Sequence, residues 1–231
     1  VNHETGALLP IKEAFSLIRK SYPHILLHTD AVQAFCKITF SVKEMNADLV
    51  SISGHKIHAP KGIGALYYTS RHSIMPLFFG GSQQSSLRPG TENTPLAVSF
   101  GYAAQKASAV LAPNHEKVLM LNNRLRSNLN GISGIVINSP VKDCSPYILN
   151  VSLVGYRSET LLHFLEERNV FVSSGSACSK GAKSPVLSAL GCRESVIDSA
   201  LRISLSRYNT EHDIDTLCEA LAAARLSLRR A

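Results

Sequence analysis

The sequence predicts an α/β protein, with a partial mixed sheet followed by a smaller α+β domain. Three observations carry that prediction. Short apolar runs, HILLHTD (24–30), ADLVSIS (47–53) and GIGALYYT (62–69), have strand length and lie among helical and polar segments. Strands of that kind, buried on both faces, belong to parallel or mixed sheets. A long helical stretch from about residue 95 to 130 then divides the chain, and beyond it strands and helices alternate.

In order, Pro10 opens a helix over IKEAFSLIRKSY, where Ile11, Ala14, Phe15 and Ile18 fall at helical spacing. The three strands follow, the first ending at Asp30 and the second just before Gly54, His55 and Lys56. Residues 80–93, GGSQQSSLRPGTEN, form a polar, glycine-rich loop. After the long helical stretch come strand GIVIN, strand YILNVSL, helix SETLLHFLEER, strand NVFVSS, loop GSACSKGAKS, helix PVLSALG, strand ALRISLS and a final helix from Thr210. The domain boundary is expected near residues 112–114, giving domains 1–113 and 114–231. The chain opens on Val1, and VNHETGALLP looks like a strand end entering a turn, so upstream residues are expected.

Composition limits the function classes. With 45% hydrophobic and 18% charged residues over 231 positions, the chain can bury a core. The net charge of +7 is scattered, which suits anionic small molecules or an acidic partner. No basic stripe interleaved with aromatics is present, so nucleic acid is not expected. No apolar run reaches membrane-spanning length, and no membrane association is expected. The five cysteines are odd in number and none stand at C-x-x-C spacing. Neither a disulfide framework nor a metal site is expected, and a reducing, cytoplasmic compartment fits.

Candidate chemistry begins at two strand ends. Ligands of open α/β sheets bind outside the carboxyl ends of the strands, where Asp30 and Lys56 both fall. A carboxylate there can pair with a protonated ring nitrogen, and an amine can condense with an aldehyde. Pyridoxal phosphate needs that pair. Gln33 is placed to donate to a ring hydroxyl, and Ser53 and His55 to bind phosphate. Each residue alone has an ordinary explanation: Asp after a strand is more often a turn residue, and a lone Lys a solvated charge. Cys178 lies among small residues in SSGSACSKG, with Lys180 and Lys183 near enough in sequence to favour a thiolate. Cys36 and Cys218 look like core packing. In ALRISLS, alternation buries Leu201, Ile203 and Leu205 and turns Arg202 and Ser204 to the other face, where a guanidinium suits a carboxylate or simply a solvated edge. The 80–93 loop offers backbone amides and Thr91 to a phosphate.

Taken together, these segments resemble the cysteine desulfurases, in the class V aminotransferase group of fold-type I pyridoxal-phosphate enzymes. The likeness runs in order through HTDAVQAFCKITF, SISGHKIHAPKGIGALYY, GGSQQSSLRPGTEN, SPYILNVSL, SSGSACSKGAKSPVLSALG and ALRISLSRYNTEHDID. It implies that residues 1–113 are the later part of the cofactor-binding large domain and that residues 114–231 form the small domain with the cysteine loop. Lys56 would hold pyridoxal phosphate covalently, Asp30 would pair with its ring nitrogen, and Gln33 would meet its ring hydroxyl. Ser53 and His55 would bind its phosphate, with Thr91 reaching the phosphate of a partner subunit in a homodimer. Arg202 would hold the α-carboxylate of L-cysteine. Cys178 would take the sulfur as a persulfide for a sulfur-acceptor or scaffold protein, in iron–sulfur cluster assembly or tRNA thiolation. His55 would assist proton transfer.

Two departures stand out: His3 replaces the family's second asparagine, and the family's earlier phosphate-binding turn and ring-stacking histidine lie upstream of Val1. The alternatives are another class V lyase or aminotransferase, which has no need of Cys178, and an inactive fragment that acts as a binding module.

Overall fold

The structure, a computed structural model, describes residues 1–174 and 183–230. It divides into two compact units, one of Pro10–Leu111 and one of Val1–Leu9 with Ala112–Ala231. The later boundary lies between Leu111 and Ala112. The opening nine residues, however, join the second unit rather than the first, because their hydrogen bonds run to residues 143–150 and 184.

In the Pro10–Leu111 unit, α1 (Ile11–Ser21) packs its buried face through Phe15. It is followed by β1 (His28–Asp30), the short α2 (Val42–Met45) and β2 (Leu49–Ser53). A 3₁₀ turn over Gly54–Ile57 leads to β3 (Gly64–Tyr68), and α3 (Thr94–Ala109) closes the unit. The sheet order is β1-β2-β3, with β1 parallel and β3 antiparallel to β2, so the sheet is mixed as predicted. The register sets Thr29 against Val50, Asp30 against Ser51 and Ser53 against Gly64. Side chains alternate across a strand. One face of this sheet therefore carries His28, Asp30, Ser51 and Ser53, and the other carries Val50, Ile52 and Tyr67.

The strand expected over 24–30 shortens to three residues. Immediately before it, Leu27 N–H is taken by the Asp48 carboxylate instead of a ladder partner. The single helical stretch becomes two helices, α3 and α4 (Leu111–Asn130), separated at Val110, whose φ and ψ leave the helical region.

In the second unit, α4 is followed by β4 (Ile135–Ile137), β5 (Ile148–Leu153), α5 (Ser158–Glu166) and β6 (Ser173–Ser174). Then come α6 (Pro185–Ala189), α7 (Glu194–Asp198), β7 (Ala200–Ser204) and α8 (Glu211–Ser227). The sheet is antiparallel throughout, in the order β4-β5-β7-β6. Its apolar face presents Leu149, Val151, Leu153, Leu201 and Ile203 to the core built with Leu125, Leu129, Leu161, Leu165 and Leu221. The opposite face of β5 is polar yet buried. Asn150 Nδ2 donates to Glu4 O at 3.3 Å, and Ser152 Oγ donates to Val196 O at 2.6 Å. Buried polar groups need such partners, and here the opening turn and α7 supply them.

Candidate active site

The site of the Pro10–Leu111 unit follows from two parallel strands that end at the same edge. Asp30 closes β1 opposite Ser51 in register, and Lys56 follows β2 by three residues. One Asp30 oxygen, Oδ1, accepts from Val32 N at 2.8 Å and so serves the turn. The ordinary role of an Asp at this place is thus real, but it occupies one oxygen only. Asp30 is exposed, which leaves its other oxygen accessible.

Lys56 is held by its neighbours. Ser53, extended, precedes the 3₁₀ turn, and His58 closes it in the left-handed region. Gly54 and Ile57, both buried, anchor the turn on either side of the lysine. A Cβ at Gly54 would lie 2.9 Å from Ile63 Cγ2 and 3.2 Å from Ala59 Cβ, so only glycine lets the turn seat this closely. Lys56 is half-buried and donates no hydrogen bond among the described residues. Beside it, Ser53 Oγ and His55 Nδ1 share a hydrogen bond of 2.8 Å, which fixes the exposed imidazole.

Gln33 lies on the helical turn after β1, where Phe35 N donates to Ala31 O and Ile38 N to Ala34 O. Its Oε1 accepts from Lys37 Nζ at 3.2 Å. Burial, and then the charge of Lys56, hold the Lys37 amine down at about 8. Lys37 is a further residue of this site, and its four-residue spacing from Gln33 is the signal of it in the sequence. The preceding residue, Cys36, is half-buried and left-handed (φ 55°), with Sγ 3.5 Å from Ser108 Oγ, so it is not simple core packing.

Other predicted residues are placed separately. Thr91 is exposed on its loop, and the neighbouring Gly90 N–H is already occupied by Gln83 Oε1 at 3.2 Å. Arg202, in the second unit, shares the polar face of β7 and β5 with Asn150. Its Nη1 donates to His3 O at 3.3 Å and its Nη2 to Ser173 Oγ at 3.4 Å, while the buried Nε has no partner among the described residues. These long bonds leave much of the guanidinium's capacity for a ligand. His3 Nε2 stands 3.9 Å from Glu4 Oε1. Lys183 pairs with Glu194, whose hydrogen bond and charge raise the lysine pKa. Cys178 itself lies outside the described residues. Among the described residues, no group of three or more His, Cys, Asp or Glu could hold a metal ion, and no helix is long and apolar enough to cross a membrane.

The donor set fits pyridoxal phosphate: a carboxylate for the ring nitrogen, an amine for the aldehyde, and a hydroxyl with an imidazole for phosphate.

Comparison with known proteins agrees with this chemistry. The family model "Aminotransferase class-V" matches residues 1–217. "Cysteine desulfurase IscS" of Methanosarcina thermophila is 36% identical over 230 residues, covering 99% of this chain and 56% of that protein. The mitochondrial cysteine desulfurase of Saccharomyces cerevisiae is 38% identical over 226 residues, covering 96% of this chain and 45% of that protein. The chain spans about half the length of these curated relatives. A solved "NifS-like protein" superposes with a TM-score of 0.91 at 32% identity, covering 98% of this chain and 59% of that one. The chain therefore belongs to the class-V aminotransferase family.

Proposed function

We propose that this chain carries the cofactor lysine and the sulfur-accepting cysteine of a pyridoxal-phosphate-dependent cysteine desulfurase. The observation that carries the reading is Asp30 and Lys56 leaving neighbouring parallel strands at one edge of the sheet. The relatives named cysteine desulfurase support it, and a further neighbour, 34% identical with a TM-score of 0.73, is titled "SspA in complex with cysteine".

When bound, the cofactor supplies an electron sink for a substrate carbanion. Asp30 would keep the ring nitrogen protonated, Gln33 would donate to the ring oxygen, and Ser53, His55 and, from a partner subunit, Thr91 would hold the phosphate. Arg202 orients L-cysteine by its α-carboxylate. Lys56, as the free amine, takes the α-proton, with His55 assisting transfer. The Cys178 thiolate attacks the substrate sulfur: an S–S bond forms, the substrate C–S bond breaks, and L-alanine leaves after protonation. The persulfide on Cys178 then passes to a sulfur-acceptor or scaffold protein, for iron–sulfur cluster assembly or tRNA thiolation. A homodimer in the cytoplasm is the setting we assign.

The test is borohydride reduction followed by peptide mapping in the full-length protein. Label is expected on Lys56, and Lys56→Ala should lose the covalent cofactor, whereas Cys178→Ser should keep the cofactor spectrum and release no sulfide from cysteine. Label on Lys61, or sulfide release unchanged in Cys178→Ser, overturns the assignment.

A further inference from the structure

The Lys37–Gln33 pair determines more than the helical turn that carries it. An ammonium has three donors and no acceptor, so it can face only the carbonyl end of a primary amide. With Gln33 Oε1 held by Lys37 Nζ at 3.2 Å, both N–H donors of Gln33 lie at the far end of a planar group and point elsewhere. The orientation of a glutamine amide is normally ambiguous by shape alone; a cationic neighbour removes the ambiguity. Lys37 is half-buried, which shields the bond from water, and its amine feels the charge of Lys56. The pair therefore lies within electrostatic reach of the lysine assigned to the cofactor.

We propose that Lys37 is a positioning residue that locks the Gln33 amide with its N–H donors toward the cofactor ring, so that the site selects a ring bearing an acceptor oxygen. The inference rests on the reading of Lys56 as the cofactor lysine. Without Lys37 the amide turns freely and presents its own carbonyl part of the time, lone pair against lone pair. Lys37 acts through Gln33 and needs no contact with the ligand.

A double-mutant cycle separates this role from a general structural one. The probes are pyridoxal phosphate and its analogue lacking the ring hydroxyl, and the readouts in the full-length protein are the dissociation constant and the absorbance maximum of the bound cofactor. Lys37→Met should weaken pyridoxal phosphate by about tenfold, the worth of one hydrogen bond involving a charged group. Lys37→Arg, still donor-only, should restore the affinity. The loss should vanish in a Gln33→Ala background and with the analogue. Gln33→Glu, which accepts from Lys37 equally well but has no N–H to offer, should lose the preference for the hydroxyl-bearing ring. That variant decides the matter even if Lys37→Met fails to fold. An equal loss in the Gln33→Ala background or with the analogue overturns the proposal, as does a preference kept by Gln33→Glu. If these negatives occur while borohydride still labels Lys56, the inference fails alone; label elsewhere sinks the functional reading and this proposal with it.

Discussion

Asp48 shows how a single buried acid can hold a unit together. It is 1% exposed, and its Oδ2 accepts from both Arg19 Nη2 and, at 3.0 Å, Leu27 N. His72 Nε2 stands 3.4 Å from Oδ1. Burial alone would raise this carboxyl; the hydrogen bonds from Arg19 and Leu27, with the charges of Arg19 and His72, together hold it below the usual carboxylate range. A carboxyl whose folded pKa is depressed stabilises the fold above its unfolded pKa and loses that contribution as pH falls through the folded value. Asp48→Asn should therefore cost about 1–3 kcal/mol, because the half-buried Arg19 and the Leu27 N–H lose a charged acceptor. It should also flatten the acid limb of melting temperature against pH. A variant with an unchanged melting temperature at neutral pH would rule this out. At the same scale, Asp30 and Lys56 were legible because each is a polar residue closing or following an apolar strand run. Asp48 was not, because its partners Arg19 and Leu27 lie 29 and 21 positions away, whereas Lys37 shows only the four-residue spacing from Gln33 and not the burial that shifts its amine. Arg202 was legible in its facing, since Leu201 and Ile203 alternate with it into the core, whereas its bond to His3 O spans 199 positions.

Elements follow the same division between local and long-range causes. Helix α8 was legible because its start is written locally. Thr210 Oγ1 accepts from Asp213 N at 3.3 Å, and Asp213 Oδ2 accepts from Thr210 N at 2.9 Å, a reciprocal capping box. The backbone bond from Thr210, then the side chain of Asn209, hold the Asp213 carboxyl below its ordinary value. Its contribution is thus present above the unfolded pKa and lost as pH falls through the folded one. Thr210→Ala should cost about 1 kcal/mol by thermal or urea unfolding, and Asp213→Asn should remove the acid-sensitive part of the cap. Equal stability of Thr210→Ala and the parent would show that the cap contributes nothing. Strand lengths were less legible. NVFVSS has the apolar content of a strand, but only Ser173 and Ser174 pair with β7. Its first residues instead finish α5, with Asn169 left-handed and Val170 N donating to Leu165 O. Apolar content marks burial, whereas a strand also needs a neighbour with free backbone groups.

At the scale of the whole molecule, the chain crosses between its units twice, and the first crossing was hidden from sequence. Residues 1–9 precede α1 and were assigned with it, yet they are built into the second unit. Asn2 Oδ1 gathers the N–H groups of Glu4 and Thr5, each at 2.9 Å, into a tight turn. The turn buries Glu4, whose carboxylate accepts from Ser184 Oγ at the start of α6. Gly6 adopts φ 76°, and a Cβ there would lie 2.8 Å from Ile148 O. Leu8 N donates to Asp143 O at 2.7 Å and Ser145 N to Gly6 O at 2.8 Å, beside a single bridge between Ala7 and Cys144. Removing the segment leaves Asn150 and Ser184 without these partners, at about 1–3 kcal/mol for each buried group left unsatisfied. A protein of residues 112–231 alone should therefore melt well below the same unit supplied with residues 1–9. Because the segment binds only the folded unit, a synthetic peptide of residues 1–9 should raise the melting temperature in a concentration-dependent way. The same peptide carrying Gly6→Ala should not, since the added methyl meets both a left-handed backbone and the Ile148 carbonyl. Identical melting curves with and without the peptide would show that the second unit is complete without its opening segment.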